Sequence, residues 1–452
     1  MNTQVPLAVA AGILLFFVFL ATGLEIIWAF IVSGSVMFVL LGLSLSEMAR
    51  VVYFGIDKEV LMAVGYFIFG GALISEGGIA DVLVRWINNF VGWIRGGLAA
   101  VAIVTSLFFG ALTGSGITSV AALGPILVFR MQKYGYSRTY SMAVICASGF
   151  MGHLIPPSIP LMIYGLLADQ SIAALFASTV LPGVILAFLY LIINFLFVKR
   201  WMKPVEQPTE QPTETTAPSS SWLRRTAKDT VSAFPALLFP VVIVGGIYGG
   251  VFTPTEAAAV ACVYAAIIGV FVYRGLKLKN LLATFPEAAG TTGMLLILVG
   301  GGMFFTRVIL RVGVAEAMTD FVLNISENPA LILLAVNILL LLLGMFIDTI
   351  VLLVIVVPLL MPLFLAIDMN LIHAGAMVVL NCGIGMVTPP FAASLFVGSR
   401  VAGVPIHQLA RPAMLFVFLG AIPVLFLTTY IPQLSTWLPT LVVGAEVVGL
   451  TP

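Results

Sequence analysis

The sequence GALTGS at residues 110–115 and the sequence GMFIDT at residues 344–349 each interrupt a long apolar run. Each is followed by a Pro-Pro pair, which stands within IPPS at residues 155–158 and within TPPF at residues 388–391. Hydrophobic segments that are interrupted at corresponding positions of two halves indicate the binding site of a secondary transporter. The duplicated pattern predicts a chain built from two related halves.

The spacing of the prolines strengthens the duplication. Pro125 lies 31 residues before Pro156, and Pro358 lies 31 residues before Pro389. A proline inside a helix removes a backbone donor and clashes with the preceding turn, so each Pro-Pro pair predicts a broken helix. One pair alone would favour a simple kink. Two pairs in register favour unwound backbone, which is tolerated at membrane depth only where it is buried in protein or lines a cavity.

The composition predicts an all-α polytopic membrane protein. Of the 452 residues 61% are hydrophobic and 9% are charged, and the mean hydropathy is +1.17. Long apolar runs of this kind cross bilayers as helices. Cys146, Cys262 and Cys382 each stand alone in an apolar run, which supports neither a disulfide framework nor a transition-metal site.

A polar segment divides the chain. Residues 199–229 are rich in Pro, Thr and Glu at their centre, which is typical of a disordered linker, and they separate residues 1–198 from residues 230–452. In each half we predict two helices joined by a tight turn, a third helix, a short arm, a hairpin, a broken helix and a last helix. The predicted ranges are hairpins at 98–130 and 330–365, broken helices at 139–168 and 372–400, and arms at 79–95 and 307–326. The other predicted helices are 6–24, 25–45, 59–76 and 172–198 in the first half, and 231–252, 255–273, 284–305 and 409–430 in the second.

The first limb of the first hairpin, residues 98–112, would be about 22 Å long as a helix. That length is too short for a hydrocarbon core of about 30 Å, so we predict a re-entrant hairpin rather than two spanning helices.

The basic residues favour one orientation in the membrane. With the N-terminus outside and five crossings in each half, 16 of the 20 Lys and Arg residues face the cytoplasm, whereas the opposite orientation places only four there. The positive-inside rule favours the first arrangement. Because five is odd, the second half enters from the opposite face. We therefore predict an inverted repeat with periplasmic termini and a cytoplasmic linker.

The two interruptions place oxygen atoms in the middle of apolar runs. The first offers the hydroxyls of Thr113, Ser115, Thr118 and Ser119 beside flexible glycine backbone. Hydroxyls and the carbonyls of a helix C-terminus suit a small cation, while the helix N-terminus that follows suits an anion. Freed carbonyls near 148–152 and 381–385, just before the Pro-Pro pairs, are further candidate cation ligands. Ordinary packing of small residues is the alternative, and the duplication favours binding.

Asp348 is the one charge between residues 331 and 367. A carboxylate at membrane depth costs about 2.5–3.5 kcal/mol unless it is compensated, and a bound cation would compensate it. Asp is also a good helix N-cap, and the two interpretations can hold together. His153, beside the first Pro-Pro pair, could relay a proton, but a lone buried histidine is more often a hydrogen-bonded structural residue.

Several of these segments resemble one family. The stretch GVFTPTEAAAV at residues 250–260 is similar to a signature of the large membrane subunit of tripartite ATP-independent periplasmic (TRAP) transporters. The stretches LIPPSIP at 154–160, GMFIDT at 344–349 and VTPP at 387–390 resemble that family's other hallmarks, in the same order and over almost the whole chain.

The resemblance implies a secondary active transporter and not an enzyme. It implies an elevator mechanism, in which the two hairpins and two broken helices move against a scaffold of the remaining helices in a bacterial or archaeal cytoplasmic membrane. It implies Na⁺ as the coupling ion, no organic cofactor, and an organic acid such as a dicarboxylate or a sialic acid as substrate. The implied partners are a periplasmic substrate-binding protein and a small four-helix membrane subunit, which we expect to be a separate chain.

The resemblance also assigns site residues. The first sodium site would consist of Thr113, Gly114, Ser115, Ser148, Gly149 and Gly152. The second would consist of Gly344, Asp348, Thr349, Asn381, Gly383, Gly385 and Thr388. The substrate would lie between the two hairpin tips, near Ser115, Thr118, Ser119, Pro156, Pro157, Thr349, Pro389 and Pro390.

Two other functions remain open. A stand-alone sodium–dicarboxylate symporter has a similar plan with two hairpins, but its Ser-Asn-Thr tip motif is absent here. An intramembrane enzyme is the alternative from another class, although the sequence contains no Gly-x-Ser-Gly, Gly-x-Gly-Asp or His-Glu-x-x-His motif.

Overall fold

The computed structural model describes residues 4–42, 44–94, 96–202 and 220–449. Within these ranges the regular secondary structure is helical, apart from one isolated bridge between Tyr136 and Met202. In this part of the chain seven helices are long and apolar enough to cross a membrane. The protein is therefore an all-helical, multi-span membrane protein, as the composition predicts. The seven segments are Glu59–Glu76, Ile172–Trp201, Arg224–Tyr248, Pro254–Val272, Ala283–Arg311, Thr349–Ala366 and Ile406–Tyr430.

The helices before the predicted linker are as follows. They are α1 (Gln4–Ala21), α2 (Ile26–Leu40), α3 (Leu45–Ile56), α4 (Glu59–Glu76), α5 (Ile79–Val91), α6 (Gly97–Thr113), α7 (Gly116–Lys133), α8 (Arg138–Gly149), a 3₁₀ turn at Phe150–His153, α9 (Ile159–Ala168), α10 (Ile172–Ser178), α11 (Val180–Phe197) and a 3₁₀ turn at Val198–Trp201.

The helices after it repeat the same order of long helices, arm, hairpin and broken helix. They are α12 (Ser220–Tyr248), α13 (Pro254–Ile267) with a π-helical end at Ile268–Val272, α14 (Leu278–Arg311), α15 (Val314–Ile325), α16 (Pro329–Gly344), α17 (Thr349–Ala366), α18 (Leu371–Gly385), α19 (Ala393–Ala402), α20 (Ile406–Phe416), a π-helical turn at Val417–Ala421, α21 (Ile422–Tyr430), α22 (Gln433–Val443) and α23 (Ala445–Val448).

The predicted hairpin ranges contain α6 with α7 and α16 with α17, and the predicted broken helices contain α8 with α9 and α18 with α19. Some boundaries differ from the sequence prediction. Helix α3 occupies a stretch for which no helix was predicted, and α22 and α23 follow the predicted last helix. Helix α12 begins at Ser220, so it includes the last ten residues of the predicted linker, while residues 203–219 lie outside the described ranges.

The hairpins and broken helices interlock across the two halves. Helix α9, from the first half, packs against α17 and α18 of the second, and α19 packs in return against α7 and α8 of the first. The last helices belong to the same cluster, since α11 packs on α6 and α20 packs on α8. This interlocking joins both halves into one body around the hairpin tips.

The remaining helices form a second group. Helix α4 packs along α13, and α14 packs against α2, α3 and α4. Three aromatic rings join α1, α2 and α14: the centroid of Phe16 lies 5.0 Å from that of Phe30 and 5.1 Å from that of Phe305. The two groups meet where α4 contacts α6 and α9 and where α14 contacts α17.

The stretch at residues 250–260 forms the turn into α13. Thr253 is the N-cap of that helix, and its hydroxyl accepts a hydrogen bond from the backbone N–H of Glu256 at 3.2 Å. The Glu256 carboxylate accepts the backbone N–H of Thr253 at 2.8 Å in return. This reciprocal capping box satisfies two donors that the start of a helix would otherwise leave free.

Candidate functional site

The first hairpin tip lies directly against the first helix break. Both surfaces are glycine backbone: a Cβ atom on Gly110 would stand 2.3 Å from the Cα of Gly152, and one on Gly116 would stand 3.2 Å from the carbonyl oxygen of Gly149. Real Cβ contacts are longer than this, so the approach requires glycine on both sides. The structure therefore brings Gly149 and Gly152 to the tip, where the sequence predicted them.

The second tip meets the second break in the same way. A Cβ atom on Gly385 would stand 2.6 Å from the carbonyl carbon of Gly344. Beyond the break, the N–H of Phe391 donates to the carbonyl oxygen of Met345 at 3.2 Å. In the first half the N–H of Ile159 makes the corresponding bond to the carbonyl oxygen of Gly114 at 3.4 Å. Each tip is thus held by a glycine contact and by one backbone hydrogen bond.

A buried polar pair fastens the first limb of each hairpin to its broken helix. In the first half the hydroxyl of Ser148 lies 3.0 Å from that of Ser106. In the second half Nδ2 of Asn381 donates to Oδ1 of Asn337 at 2.8 Å, and Nδ2 of Asn337 donates to Oγ1 of Thr429 at 3.0 Å. Buried pairs of this kind fix the register between helices because their polar groups have no alternative partner in an apolar interior.

Sequence reasoning did not single out Ser106 or Asn337. Each stands seven residues before the last residue of its limb, Thr113 or Gly344, which is two helical turns. Asn337 is a lone polar residue in its limb, whereas Ser106 stands beside a second hydroxyl residue, Thr105. The significance of both becomes clear only when the facing residues, Ser148 and Asn381, are known.

We expect Asn337→Ala to destabilise the protein, because it removes one partner from a buried network and leaves the amide of Asn381 without its acceptor side chain. The expected loss is about 1–3 kcal/mol of folding free energy, measured as a lower apparent melting temperature in detergent. Asn324, exposed on α15, provides the matched control Asn324→Ala. Equal melting temperatures for the two variants would contradict a structural role for the network.

The polar groups of the first tip are mostly engaged within the tip. Gly114 takes a left-handed conformation with φ of 64° and ends α6. Thr113 Oγ1 donates to the carbonyl oxygen of Phe109 at 3.1 Å. The Ser115 hydroxyl accepts the N–H of Thr118 at 3.4 Å, and the Ser119 hydroxyl donates to the carbonyl oxygen of Ser115 at 3.0 Å. These bonds hold the turn between the two limbs in one shape.

Asp348 begins the second limb of the second hairpin. It is the N-cap of α17, and its Oδ1 accepts the N–H of Ile350 at 3.0 Å. The N-cap interpretation is therefore correct. It leaves the other carboxylate oxygen for a ligand, and the side chain is exposed rather than sealed in the interior.

Two buried oxygens of the predicted second sodium site have no hydrogen-bond partner among the described residues. They are Oγ1 of Thr349, directly after Asp348, and Oδ1 of Asn381, one turn before Gly385. An unpaired buried polar atom costs free energy, so such atoms need an explanation. Carboxylate, hydroxyl and amide oxygens are hard ligands, and this donor set fits a small alkali or alkaline-earth cation.

The two tips meet at a small cavity of about 80 Å³. Gly114 and Ser115 of the first tip line one side, and Asp348 and Thr349 of the second tip line the other. His153 also lines it, and its buried Nδ1 has no hydrogen-bond partner in the part of the chain that the structure describes. The structure thus brings the two predicted tips to one place and adds His153 to the site.

Other predicted residues lie elsewhere. The Ser148 hydroxyl is directed at Ser106 and at the carbonyl oxygen of Val144. Gly383 faces the ring of Phe150 in the other half, where a Cβ atom would stand 2.7 Å from Cδ2. Thr388 Oγ1 donates to the carbonyl oxygen of Ile384 at 2.8 Å.

The prolines of the two pairs lie at the helix breaks and are not among the lining residues of the cavity. The peptide bonds Pro156-Pro157 and Pro389-Pro390 are both cis. The carbonyl oxygen of Pro157 lies 2.9 Å from the position of a Cβ atom on Gly114, so the first pair touches the first tip through its backbone.

Comparison with known proteins gives one consistent family. Residues 13–434 match the model of the family described as the DctM component of tripartite ATP-independent periplasmic transporters. The sialic acid TRAP transporter large permease protein SiaM of Vibrio cholerae is 35% identical, over 86% of this chain and 88% of that protein. The C4-dicarboxylate TRAP transporter large permease protein DctM of the same organism is 36% identical, over 86% and 87%.

A third relative and one solved structure extend the comparison. The ectoine/5-hydroxyectoine TRAP transporter large permease protein UehC of Ruegeria pomeroyi is 32% identical, over 85% of this chain and 87% of that protein. Among solved structures, the YdaH transporter of Alcanivorax borkumensis superimposes with a TM-score of 0.60 at 13% identity, over 84% of this chain and 86% of that one. At this identity the likeness shows a shared fold.

Proposed function

Because this chain belongs to the DctM component family of tripartite ATP-independent periplasmic transporters, we propose that it is the large membrane subunit of such a system. It carries an organic acid across the membrane and uses the sodium gradient rather than ATP or covalent chemistry. The relatives named for sialic acid and for C4-dicarboxylates favour a carboxylate substrate. A small membrane subunit and a periplasmic binding protein complete the system.

The cavity between the two tips is the observation that carries this proposal. A volume of about 80 Å³ has room for roughly two or three waters or one partly hydrated cation, since a water occupies about 30 Å³ of liquid. Sites for organic ligands usually measure about 300–1,000 Å³. The space between the tips is therefore smaller than an organic acid needs, and we infer that the substrate site widens when the tips separate.

Different groups at and near the two tips bind the sodium ions and the substrate. Asp348, Thr349 and the amide oxygen of Asn381 offer oxygens to Na⁺, with backbone carbonyls of the glycine contact at Gly344 and Gly385 beside them. The first tip offers the corresponding site through Thr113–Ser115 and the break at Gly149–Gly152. Bound cations reduce the negative charge at the tips, and the helix N-termini that begin at Gly116 and Thr349 favour the substrate carboxylate.

The packing supports an elevator mechanism. The hairpins and broken helices interlock through α9 with α17 and α19 with α7, so they move as one body. That body also includes α11 and α20, which pack on α6 and α8. The sequence prediction had placed these last helices in the scaffold, and we now assign them to the moving body. The scaffold then includes α1, α2, α3, α4, α12, α13 and α14.

Two related halves in inverted orientation explain why two similar hairpin tips meet at one cavity. Each half has a glycine contact, a buried polar pair and a tip hydrogen bond, and the two tips line one cavity. With periplasmic termini and the predicted linker at 199–229 in the cytoplasm, one hairpin opens to each side of the membrane. Alternate opening of the two hairpins gives alternating access to a single site.

Uptake into proteoliposomes tests the proposal. With the small subunit co-reconstituted and the cognate binding protein outside, an inward sodium gradient should drive accumulation of labelled substrate, and an equal potassium gradient should not. Omission of the binding protein should reduce uptake to background even at high substrate. Uptake of free substrate without the binding protein would contradict the tripartite assignment and favour a stand-alone symporter.

A further inference from the structure

A large basic cavity lies at the base of the first hairpin, away from the tips. Its volume is about 720 Å³. The arm α5 forms one wall, the start of α6 and the end of α7 form the second, and the start of α12 forms the third. The cavity therefore lies between the arm and α12 on one side and the first hairpin on the other.

Among the lining residues that the structure describes, five side chains are basic and one is acidic. Arg85 comes from the arm, Arg130 and Lys133 from α7, and Arg225 and Lys228 from α12, while Asp229 is the acidic residue. The Asp229 carboxylate accepts a hydrogen bond from Nδ2 of Asn89 at 2.7 Å, and Arg130 is paired with Asp81 at 3.2 Å. The lining keeps a net positive charge after both carboxylates are counted.

Three indole side chains indicate that the base of the first hairpin lies at a membrane–water interface. The indole N–H of Trp86 donates to Oγ1 of Thr230 at 3.1 Å, and that of Trp222 donates to the carbonyl oxygen of Asn89 at 3.2 Å. Trp93, at the end of the arm, is 66% exposed. Tryptophan is enriched where the headgroups of a bilayer meet its hydrocarbon, and these three belong to the arm, to the turn at its end and to the start of α12, the segments that wall the cavity on one side.

Exposed apolar side chains stand beside the basic ones. Phe129, which stacks under the ammonium group of Lys133 at 4.7 Å, is 62% exposed. Phe90 on the arm is also exposed, and Ile94 lines the cavity itself. A net positive lining with exposed apolar side chains on the same helices fits an amphiphile that has an anionic head and hydrocarbon tails.

We propose that this cavity binds the headgroup of an anionic phospholipid. The phosphate contacts Arg85 and Lys228 from opposite walls, with Lys133 at the base of the hairpin, and the acyl chains follow the exposed faces of Phe90 and Phe129. Basic pockets between membrane helices bind anionic headgroups in this way. A free phosphate or carboxylate would contact the same basic side chains but would gain nothing from the exposed apolar ones. We therefore expect the bound anion to be the headgroup of a lipid.

Native mass spectrometry of the delipidated full-length chain tests the site. The wild-type protein should retain phosphatidylglycerol in preference to phosphatidylcholine. Each basic residue near an anionic headgroup contributes about a fivefold gain in binding, so Arg85→Gln with Lys228→Gln should weaken phosphatidylglycerol binding by about 25-fold. The charge-conserving pair Arg85→Lys with Lys228→Arg should bind as the wild type does.

The control changes two basic residues outside the cavity. Arg274 and Lys277 are exposed in the connection between α13 and α14, and their replacement by glutamine should leave binding unchanged. Unchanged binding in the Arg85/Lys228 glutamine variant, or equal binding of the two lipids by the wild type, would overturn the proposal. Displacement of the lipid by millimolar inorganic phosphate would also overturn it and indicate a site for a free anion. The assay measures no transport, so its outcome is independent of the proposed function.

Discussion

Asp348→Asn should strongly weaken sodium-dependent uptake while leaving the protein folded. The substitution removes the negative charge beside the cavity but keeps an oxygen that can accept the N–H of Ile350, and Asn is as good an N-cap as Asp. Loss of a residue that holds or orients a metal ligand typically weakens ion binding by about 10–100-fold. Uptake at a limiting sodium concentration should fall by a similar factor.

The measurement is initial uptake in proteoliposomes as a function of sodium concentration. Asp368→Asn is the matched control, because Asp368 is an exposed carboxylate just after α17 and away from the cavity. A control variant that behaves as the wild type, beside an Asp348 variant with a much higher sodium requirement, is the expected pattern. An unchanged sodium dependence in the Asp348 variant would remove this residue from cation binding.

Gly110→Ala should impair transport through a single methyl group. The added Cβ would stand 2.3 Å from the Cα and 2.8 Å from the amide nitrogen of Gly152. Both are backbone atoms, so the hairpin limb must move away from the break. Overpacking of this kind costs about 1–3 kcal/mol, which corresponds to about a 5- to 150-fold shift in an equilibrium. The expected results are a lower melting temperature and a large loss of uptake.

Gly290→Ala separates this steric effect from a general effect of alanine. Gly290 also lies inside a helix, α14, but a Cβ atom there would meet nothing within 4 Å. Alanine is a better helix former than glycine by about 1 kcal/mol, so this variant should be as stable as the wild type or more so. If both variants transport normally, the close contact between tip and break is not required for function.

The sequence predicts those parts of the site that are visible as local interruptions. Glycine, proline and a carboxylate within apolar runs have few structural explanations, so the two tips, the two breaks and Asp348 could be found without coordinates. The N-cap role of Asp348 could also be predicted, because an Asp carboxylate accepts backbone N–H groups at the start of a helix. A break in helical pattern is a local property, and one sequence is enough to show it.

Other parts depend on which faces meet. Ser106 and Asn337 are polar residues in apolar helices, and their roles follow only from the facing Ser148 and Asn381. Gly383 and Gly385 stand two residues apart, and the sequence gives no reason to separate their roles. Gly383 nevertheless contacts Phe150 of the other half rather than its own tip. The interlocking of α9 with α17 likewise depends on long-range packing, which hydrophobic periodicity does not encode.

The sequence prediction missed helix α3 for a different reason. Its charged and polar residues suggest a connection, but Ser44 caps it by accepting the N–H of Glu47 at 3.3 Å, and the Arg311 side chain of α14 pairs with the carboxylate of Glu47. A cap followed by a mixed apolar and charged stretch is the pattern of an interfacial helix. That signal was present and was not used.

The most direct test of a sodium site between the tips is the thermal stability of the purified protein across sodium, potassium and choline chloride at one ionic strength. A ligand that binds only the native state raises stability in step with its saturation. We predict a saturable rise of the melting temperature with sodium alone, which Asp348→Asn diminishes. A melting temperature that does not respond to sodium, or that responds equally to all three cations, both for the chain alone and for its complex with the small subunit, would contradict the account.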